Sequence, residues 1–253
     1  MNEILDTFRA IQERHAARHF SSKPLADRLL YDLLDLANRA PSGFNLQPWH
    51  FIVVRDQEIK SLLHQIALDQ SQVLEAPATV VFVANPHAWR SNYGRILDTG
   101  VDSGMISREF AATSRKNVTL TFEIGPLGLI GLAKRLLLPF RRIRKPIPLV
   151  ITSQQESVHY ARAQTMLAAA TFMVAATAAG LATAPMEGFD EYRLKKLLAI
   201  PRVMSVPIII PVGYAVDGDT APASFRLPIV EKVSVDLYPN VLEKVKKKRQ
   251  DAS

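Results

Sequence analysis

Ile4, Leu5, Phe8 and Ile11 recur at helical spacing between Glu3 and Arg14, and Leu29, Leu30, Leu33, Leu34 and Ala37 repeat the pattern further on. Two N-terminal helices are therefore expected, the second ended by Pro41 and Gly43, which open a loop. Trp49 to Val54 is short, aromatic and β-branched and reads as a strand; Gln57 to Ile66 returns to helix, and Thr79 to Ala84 is a second, fully apolar strand. From Tyr160 to Gly180 the chain is alanine-rich and apolar nearly all round, which predicts a buried helix ending at Gly180. Arg162, Gln164 and several threonines interrupt this run, so it falls short of a membrane span. A Pro- and Gly-punctuated loop from Ala184 to Phe189, a helix from Glu191 to Leu198 and an apolar strand from Val206 to Val212 follow. Helices in excess of strands indicate α+β or α/β architecture. The Pro-punctuated stretch after Val216 suits an arm wrapping a partner.

The composition narrows the chemistry. With 253 residues, 48% hydrophobic and 22% charged, the chain can bury a sizeable core as one globular domain or one domain with an insertion. It has no cysteine, which removes disulfides, thiolate nucleophiles and cysteine-ligated metal centres. Any redox chemistry must then come from a bound cofactor. The start Met1-Asn2-Glu3-Ile4-Leu5-Asp6 carries acid where a secretory signal carries base, so a cytoplasmic location is expected. His50, His64, His87 and His159 lack metal-ligand spacing, and no metal is expected. The net charge of +7 gathers between Lys134 and Lys145 and in the tail from Lys244 to Arg249. That tail reads as solvated, and with no nucleic-acid module in the sequence specific nucleic-acid binding is not expected.

Three segments carry candidate chemistry. Arg14-His15-Ala16-Ala17-Arg18 offers two guanidiniums around an imidazole, suited to gripping a phosphate, although a solvated basic helix end has the same appearance. Pro41-Ser42-Gly43-Phe44-Asn45-Leu46-Gln47-Pro48-Trp49 presents small and amide side chains in a constrained loop, able to face a flat polar ring or simply to form an Asx-turn before a strand. Pro185-Met186-Glu187-Gly188-Phe189 follows the apolar helix; its glycine allows close backbone approach to a ligand, and an ordinary turn would look alike. Ser42 lacks a nucleophile elbow, which argues against a serine hydrolase.

In this order and at these separations the three segments resemble the FMN-dependent nitroreductase family, over roughly Ile4 to Ala84 and Val158 to Arg226. The resemblance implies an α+β three-layer sandwich, a central mixed sheet flanked by helices, in a domain-swapped homodimer. It implies that Arg14, His15, Ala16 and Arg18 hold the FMN phosphate and ribityl chain, with Arg226 adding a second phosphate contact. Ala16 stands where the family usually has serine, so one side-chain hydrogen bond should be absent. Pro41, Ser42, Gly43 and Asn45 would reach the flavin from the partner subunit, Gln72 is a weaker candidate contact, and Pro185, Met186, Glu187 and Gly188 would lie along the isoalloxazine near N5. Phe44 and Gln47 are candidate substrate contacts.

The implied activity is ping-pong: NADH or NADPH delivers hydride to flavin N5, and a nitroaromatic, quinone or other conjugated acceptor then removes it, with no catalytic side chain required. Two alternatives stay open. One is a family offshoot using FMN for dehydrogenation, dehalogenation or flavin cleavage; the other is a flavin-binding protein of the membrane surface.

The resemblance leaves Asn85 to Ser157 unmatched, and residues 90–157 are expected to form an insertion within a single domain of residues 1–253, with residues 217–253 as C-terminal arm and basic tail. Lys134, Arg135, Arg141, Arg142, Arg144 and Lys145 interleave with Leu136, Leu137, Phe140 and Ile143. Such a segment could rest on an anionic membrane, each cation adding on the order of 1 kcal/mol. It could equally be a lid or dimer arm with a solvated basic face, in which case Tyr93, Phe110 and Phe122 are candidate pocket walls.

Overall fold

The computed structural model describes residues 6–216 and 225–238. The chain divides into two units, Met1–Ala221 and Pro222–Ser253.

In the first unit, α1 (Thr7–Glu13) is capped by Asp6, whose carboxylate accepts from Arg9 N, and α2 (Asp27–Asn38) follows. The expected start of α1 at Ile4 and Leu5 lies outside the described residues. Strand β1 (Trp49–Val54) and helix α3 (Gln57–Ile66) have the predicted bounds, because Asp56 caps α3 through the N–H groups of Glu58 and Ile59. After a short α4 (Gln72–Glu75) comes β2 (Ala78–Ala84), buried at every position.

The stretch from 85 to 157 is helical: α5 (Ala88–Ser91), α6 (Tyr93–Asp102), α7 (Arg108–Phe122) and α8 (Leu129–Arg144), the last with Pro139 inside it. Then come the long α9 (Gln154–Ala178), β3 (Ala182–Thr183), α10 (Glu191–Leu197) and β4 (Ser205–Gly213). Gly180, at φ +73°, ends α9, its N–H bonding Thr177 O while Leu181 N–H bonds Ala176 O.

The strands form one sheet in the order β1-β2-β4-β3, with antiparallel ladders throughout. The mixed character expected of the sheet is confined, among the described residues, to a parallel bridge between Ala16 and Thr183 at the β3 edge. Alternation along the central strands sends their side chains to two different cores. Ala78, Val80, Phe82, Ile208, Ile210 and Val212 pack against α2 and α9, whereas Val81, Val83, Val206 and Ile209 pack against Leu63 of α3 and Leu194 of α10. The result is helix, sheet and helix in three layers. The helices between β2 and α9 make a separate small core from Tyr93, Leu97, Ala111, Val118 and Phe122, joined to the body through Leu46 and Tyr160.

Two expectations are corrected. Helix α9 is not buried all round: Ala168, Ala169, Phe172 and Ala176 face the sheet, but Ala163, Leu167 and Ala170 are exposed. One sheet can cover only one side of a helix, and an apolar second side requires a second cover. The basic cluster also loses its first member to the interior. Lys134 Nζ donates to the carbonyls of Glu123 (2.6 Å), Thr121 (3.3 Å) and Ile151 (3.4 Å), and burial lowers its pKa.

The second unit, described from 225 to 238, contains a 3-10 turn at Ile229–Glu231; Arg226 Nη1 donates to Phe225 O at 3.0 Å. The remaining parts of the expected arm, and the Lys244–Arg249 tail, lie outside the described residues.

Candidate cofactor site and acceptor cavity

At the end of α1 the chain turns through Arg14 and runs beside β3, where Ala16 pairs with Thr183 and Ala17 N–H donates to Thr183 O at 3.0 Å. Small residues permit this approach: Ala17, Ala76 and Ala184 pack with Phe20 into a compact cluster. The segment is latched further along, where Glu75 Oε2 accepts from Phe20 N–H (3.0 Å) and lies 3.3 Å from His19 Nδ1. Burial pushes the Glu75 carboxyl up, but the Phe20 N–H, Ser71 and His19 outweigh it and hold the pKa below its ordinary value. Gln72 begins the same helix, and the buried Lys60 holds that helix end through the carbonyls of Leu74 (2.8 Å) and Ala76 (2.6 Å).

Beyond β3, Met186 is buried and pairs with Ile209, while Pro185 is half-buried and Glu187 and Gly188 are exposed. Gln70 Nε2 donates to Gly188 O at 3.1 Å, tying this turn to the residues before Gln72. Arg14 to Phe20, Gln70 to Glu75 and Thr183 to Gly188 thus form one locus.

Several polar groups there have nothing to bind. His15 Nδ1 lies 2.9 Å from Glu13 O; a carbonyl can only accept, so Nδ1 carries hydrogen. His15 Nε2 and Thr183 Oγ1 are buried without a hydrogen-bond partner, and among the described residues the guanidiniums of Arg14 and Arg18 have neither a hydrogen-bond nor an ion-pair partner. The N–H groups of Glu187 and Gly188 likewise donate to no acceptor among the described residues. Buried polar atoms are ordinarily satisfied; Arg55 Nη2 and Thr79 Oγ1 are unsatisfied as well, but at this locus His15 Nε2 and Thr183 Oγ1 stand with two free guanidiniums, a set that fits a polar, anionic occupant.

The Pro41–Trp49 loop lies elsewhere. Gly43 N–H donates to Gln164 Oε1 (2.8 Å), Ser42 Oγ accepts from Gln47 N–H (3.0 Å), and Gln47 Nε2 reaches Asn45 Oδ1 (3.2 Å). Phe44, Asn45 and Gln47 all have positive φ, an unusual run for residues with side chains. Asn92 clamps it by donating to the carbonyls of Leu46 and Gln47, both at 3.1 Å. Gly43 permits a close approach: a Cβ there would overlap the Tyr160 hydroxyl unless that ring shifted.

Gln164 and Tyr160 stand 14 to 18 residues before the end of α9, whereas β3 follows that end directly. The two groups of predicted site residues are therefore on the order of 20 Å apart along the helix axis, and one chain does not bring Pro41, Ser42, Gly43 and Asn45 to Arg14, His15 and Gly188.

Beside the loop opens a cavity of about 1000 Å3, at the large end for a small-molecule site. Phe44, Asn45 and Gln47 line one side; Tyr93 of α6, Met105 and Ile106 of the turn after it and Phe110 of α7 line the other. Of the three candidate wall residues, Tyr93 and Phe110 line this cavity. Phe122 does not line this cavity: it is buried in the core that these helices form, stacked with Trp89 at 6.2 Å and edge-on to Tyr160 at 5.1 Å. The sequence reading missed Gln70, Glu75, Asn92 and Thr183. It noted Gln164 only as an interruption of an apolar helix, which was the available signal that the residue had a polar task. Arg226 belongs to the second unit and is described there alone.

The Nitroreductase family model matches residues 11–214. The chain is 26% identical over 226 residues to a protein of Thermus thermophilus named NADH dehydrogenase, covering 89% of this chain and 94% of that one. It is 29% identical over 235 residues to YodC of Bacillus subtilis, provisionally named an NAD(P)H nitroreductase, covering 92% and 98%. Among solved structures, a provisionally assigned nitroreductase of Exiguobacterium sibiricum in complex with FMN superposes with a TM-score of 0.69 at 21% identity, over 92% of this chain and 98% of that one, a likeness of fold. With a family match that spans the sheet, the long helix and all three motif segments, the chain belongs to the nitroreductase family.

Proposed function

We propose that this protein is an FMN-dependent oxidoreductase that passes hydride from NADH or NADPH to a nitroaromatic, quinone or other conjugated acceptor by a ping-pong route, as a homodimer with shared flavin sites. The observation that carries the proposal is the cluster of orphaned groups at the β3 edge: two partnerless guanidiniums, His15 Nε2 and Thr183 Oγ1. These fit a phosphorylated, hydroxylated ligand. When bound, FMN supplies the hydride chemistry at N5, and the chain's own groups position it.

In this reading Arg14 and Arg18 bind the phosphate through charge-assisted hydrogen bonds. His15 Nε2 accepts from a ribityl hydroxyl, and Ala16, lacking a hydroxyl, contributes backbone only. The free N–H groups of Glu187 and Gly188 face the ring edge, with Pro185 and Met186 shaping the turn and Gln72 beside it. Arg226 is retained as a second phosphate contact on the family resemblance alone. Pro41, Ser42, Gly43 and Asn45 come from the second copy. Separation of the two half-sites along α9 supports this, as do the exposed Ala163, Leu167 and Ala170 of α9 and the exposed Phe8 (83%) and Ile11 (57%) of α1, which packs along α9. The insertion of residues 90–157 walls the cavity with Phe44 and Gln47 and sets acceptor choice.

The test is the visible spectrum of the purified protein before and after anaerobic NADH or NADPH, with chromatography of any released flavin. Bound FMN that bleaches and recovers with a quinone or nitroaromatic is the expected result. FMN that stays oxidised would move the assignment to an offshoot chemistry such as dehalogenation, and absence of flavin after reconstitution would overturn the reading.

A further inference from the structure

Helix α8 is folded inside out. At about 3.6 residues per turn, Leu129, Leu132, Leu136, Phe140 and Ile143 form one stripe, and each is between 55% and 83% exposed. The opposite side holds the helix to the body: Gly131 N–H donates to Ile124 O (3.0 Å), a Cβ at Gly131 would overlap Thr152 O, and Lys134 binds three carbonyls. Around Gly131 and Lys134 the small and polar face is the one anchored, so the apolar stripe points outward; from Arg135 onward the helix is exposed on nearly every side.

Arg135 and Arg144 lie on the two flanks of this stripe, Arg142 and Arg141 are turned further round the helix, and Lys145 caps its end; all five are exposed and without an ion-pair partner among the described residues. No aspartate or glutamate occurs from Ile124 to Gln155. We propose that α8 docks the protein flat on an anionic lipid bilayer, its leucine and phenylalanine stripe in the acyl boundary and its arginines among the phosphates.

Charge complementarity selects this occupant. Two copies of the chain meeting through α8 about a two-fold axis would set five cations against five, which repel. An anionic bilayer satisfies the stripe and the arginines together, as an interfacial helix requires. No helix among the described residues is long and apolar enough to cross the membrane, so the contact is with its surface.

Docking does not depend on flavin or on the redox reading, so either proposal can fail alone. The experiment is cosedimentation of the full chain with phosphatidylglycerol-containing and with pure phosphatidylcholine vesicles. The expected result is partitioning onto the anionic vesicles only, weakened about 100-fold by Arg141→Glu/Arg142→Glu/Arg144→Glu and at least about tenfold by Leu136→Ser/Phe140→Ser. Lys246→Gln/Lys247→Gln/Lys248→Gln, in the basic tail, should leave it at the parental level. Failure of the parent to bind the anionic vesicles overturns the proposal. So does loss on charge reversal but not on polar substitution of the stripe, which would mark a polyanion site. Loss through the tail variant, or a stripe variant that instead splits an oligomer in sedimentation, would equally overturn it.

Discussion

The two ends of α9 carry the two halves of the candidate site, and they are built on opposite principles. At the Gly43 end nearly every polar group has its partner: Gln164, Ser42, Gln47 and Asn92 fix a loop with three positive φ angles. At the β3 end the backbone is secured by Thr183 and Glu75, but the groups that would touch a ligand are left free. A fully satisfied loop is part of the fold, whereas an unsatisfied cluster gains its partners only on binding. Damage to the first should appear as lost stability, and damage to the second as lost affinity.

The largest expected effect is at the satisfied end. Gly43→Ala forces a methyl group into the Tyr160 hydroxyl and should cost about 3 kcal/mol in urea unfolding, the upper end of ordinary overpacking. Restoration by Tyr160→Phe in the double variant would identify the hydroxyl as the obstacle; no loss in Gly43→Ala would break the comparison. At the other end Arg14→Ala should weaken FMN binding roughly 10- to 150-fold, from about 1.5–3 kcal/mol for a bond to a charged group, with apo-protein stability unchanged. Flavin retention equal to the parent would remove Arg14 as the anchor.

The Glu75 latch at the β3 end should respond to pH. Glu75 is held below its ordinary pKa of 4.5 in the folded chain, so its contribution is fully present above that value and is lost as pH falls through the lower folded value. Glu75→Gln should therefore flatten the acid limb of the stability curve by about 1 kcal/mol relative to the parent, and the parent should release FMN on acidification more readily than the variant. An identical acid limb in both would place the acid response elsewhere. The smallest effect is a gain: Ala16→Ser should tighten FMN about twofold, measured by fluorescence titration, and unchanged binding would mean that the Ala16 position does not face the ligand.

Much of this was legible in the sequence where a local signal existed. Asp56 before Gln57 set the start of α3, Gly180 the end of α9, and the apolar runs of β2 and β4 their burial on both faces. The three motif segments could be recognised because each combines residue types rare outside a turn or a phosphate grip. The direction of Lys134 could not be read, because a lysine in a basic run looks solvated until three carbonyls are seen to converge on it. Phe122 looked like a pocket wall for a similar reason: an aromatic residue in an unmatched helix carries no mark of which side it faces.

The sequence by itself therefore determined most elements outside residues 85–157, their order, the family and the residue types of the site, because periodicity, caps and turn residues act over a few positions. Only the tertiary structure decided that Ala16 meets Thr183 while Gly43 meets Gln164, that one apolar side of α9 and the outward stripe of α8 remain uncovered, and that the two half-sites stand a helix length apart. Those are long-range pairings, set by which faces bury against the sheet, and no local pattern along the chain encodes them.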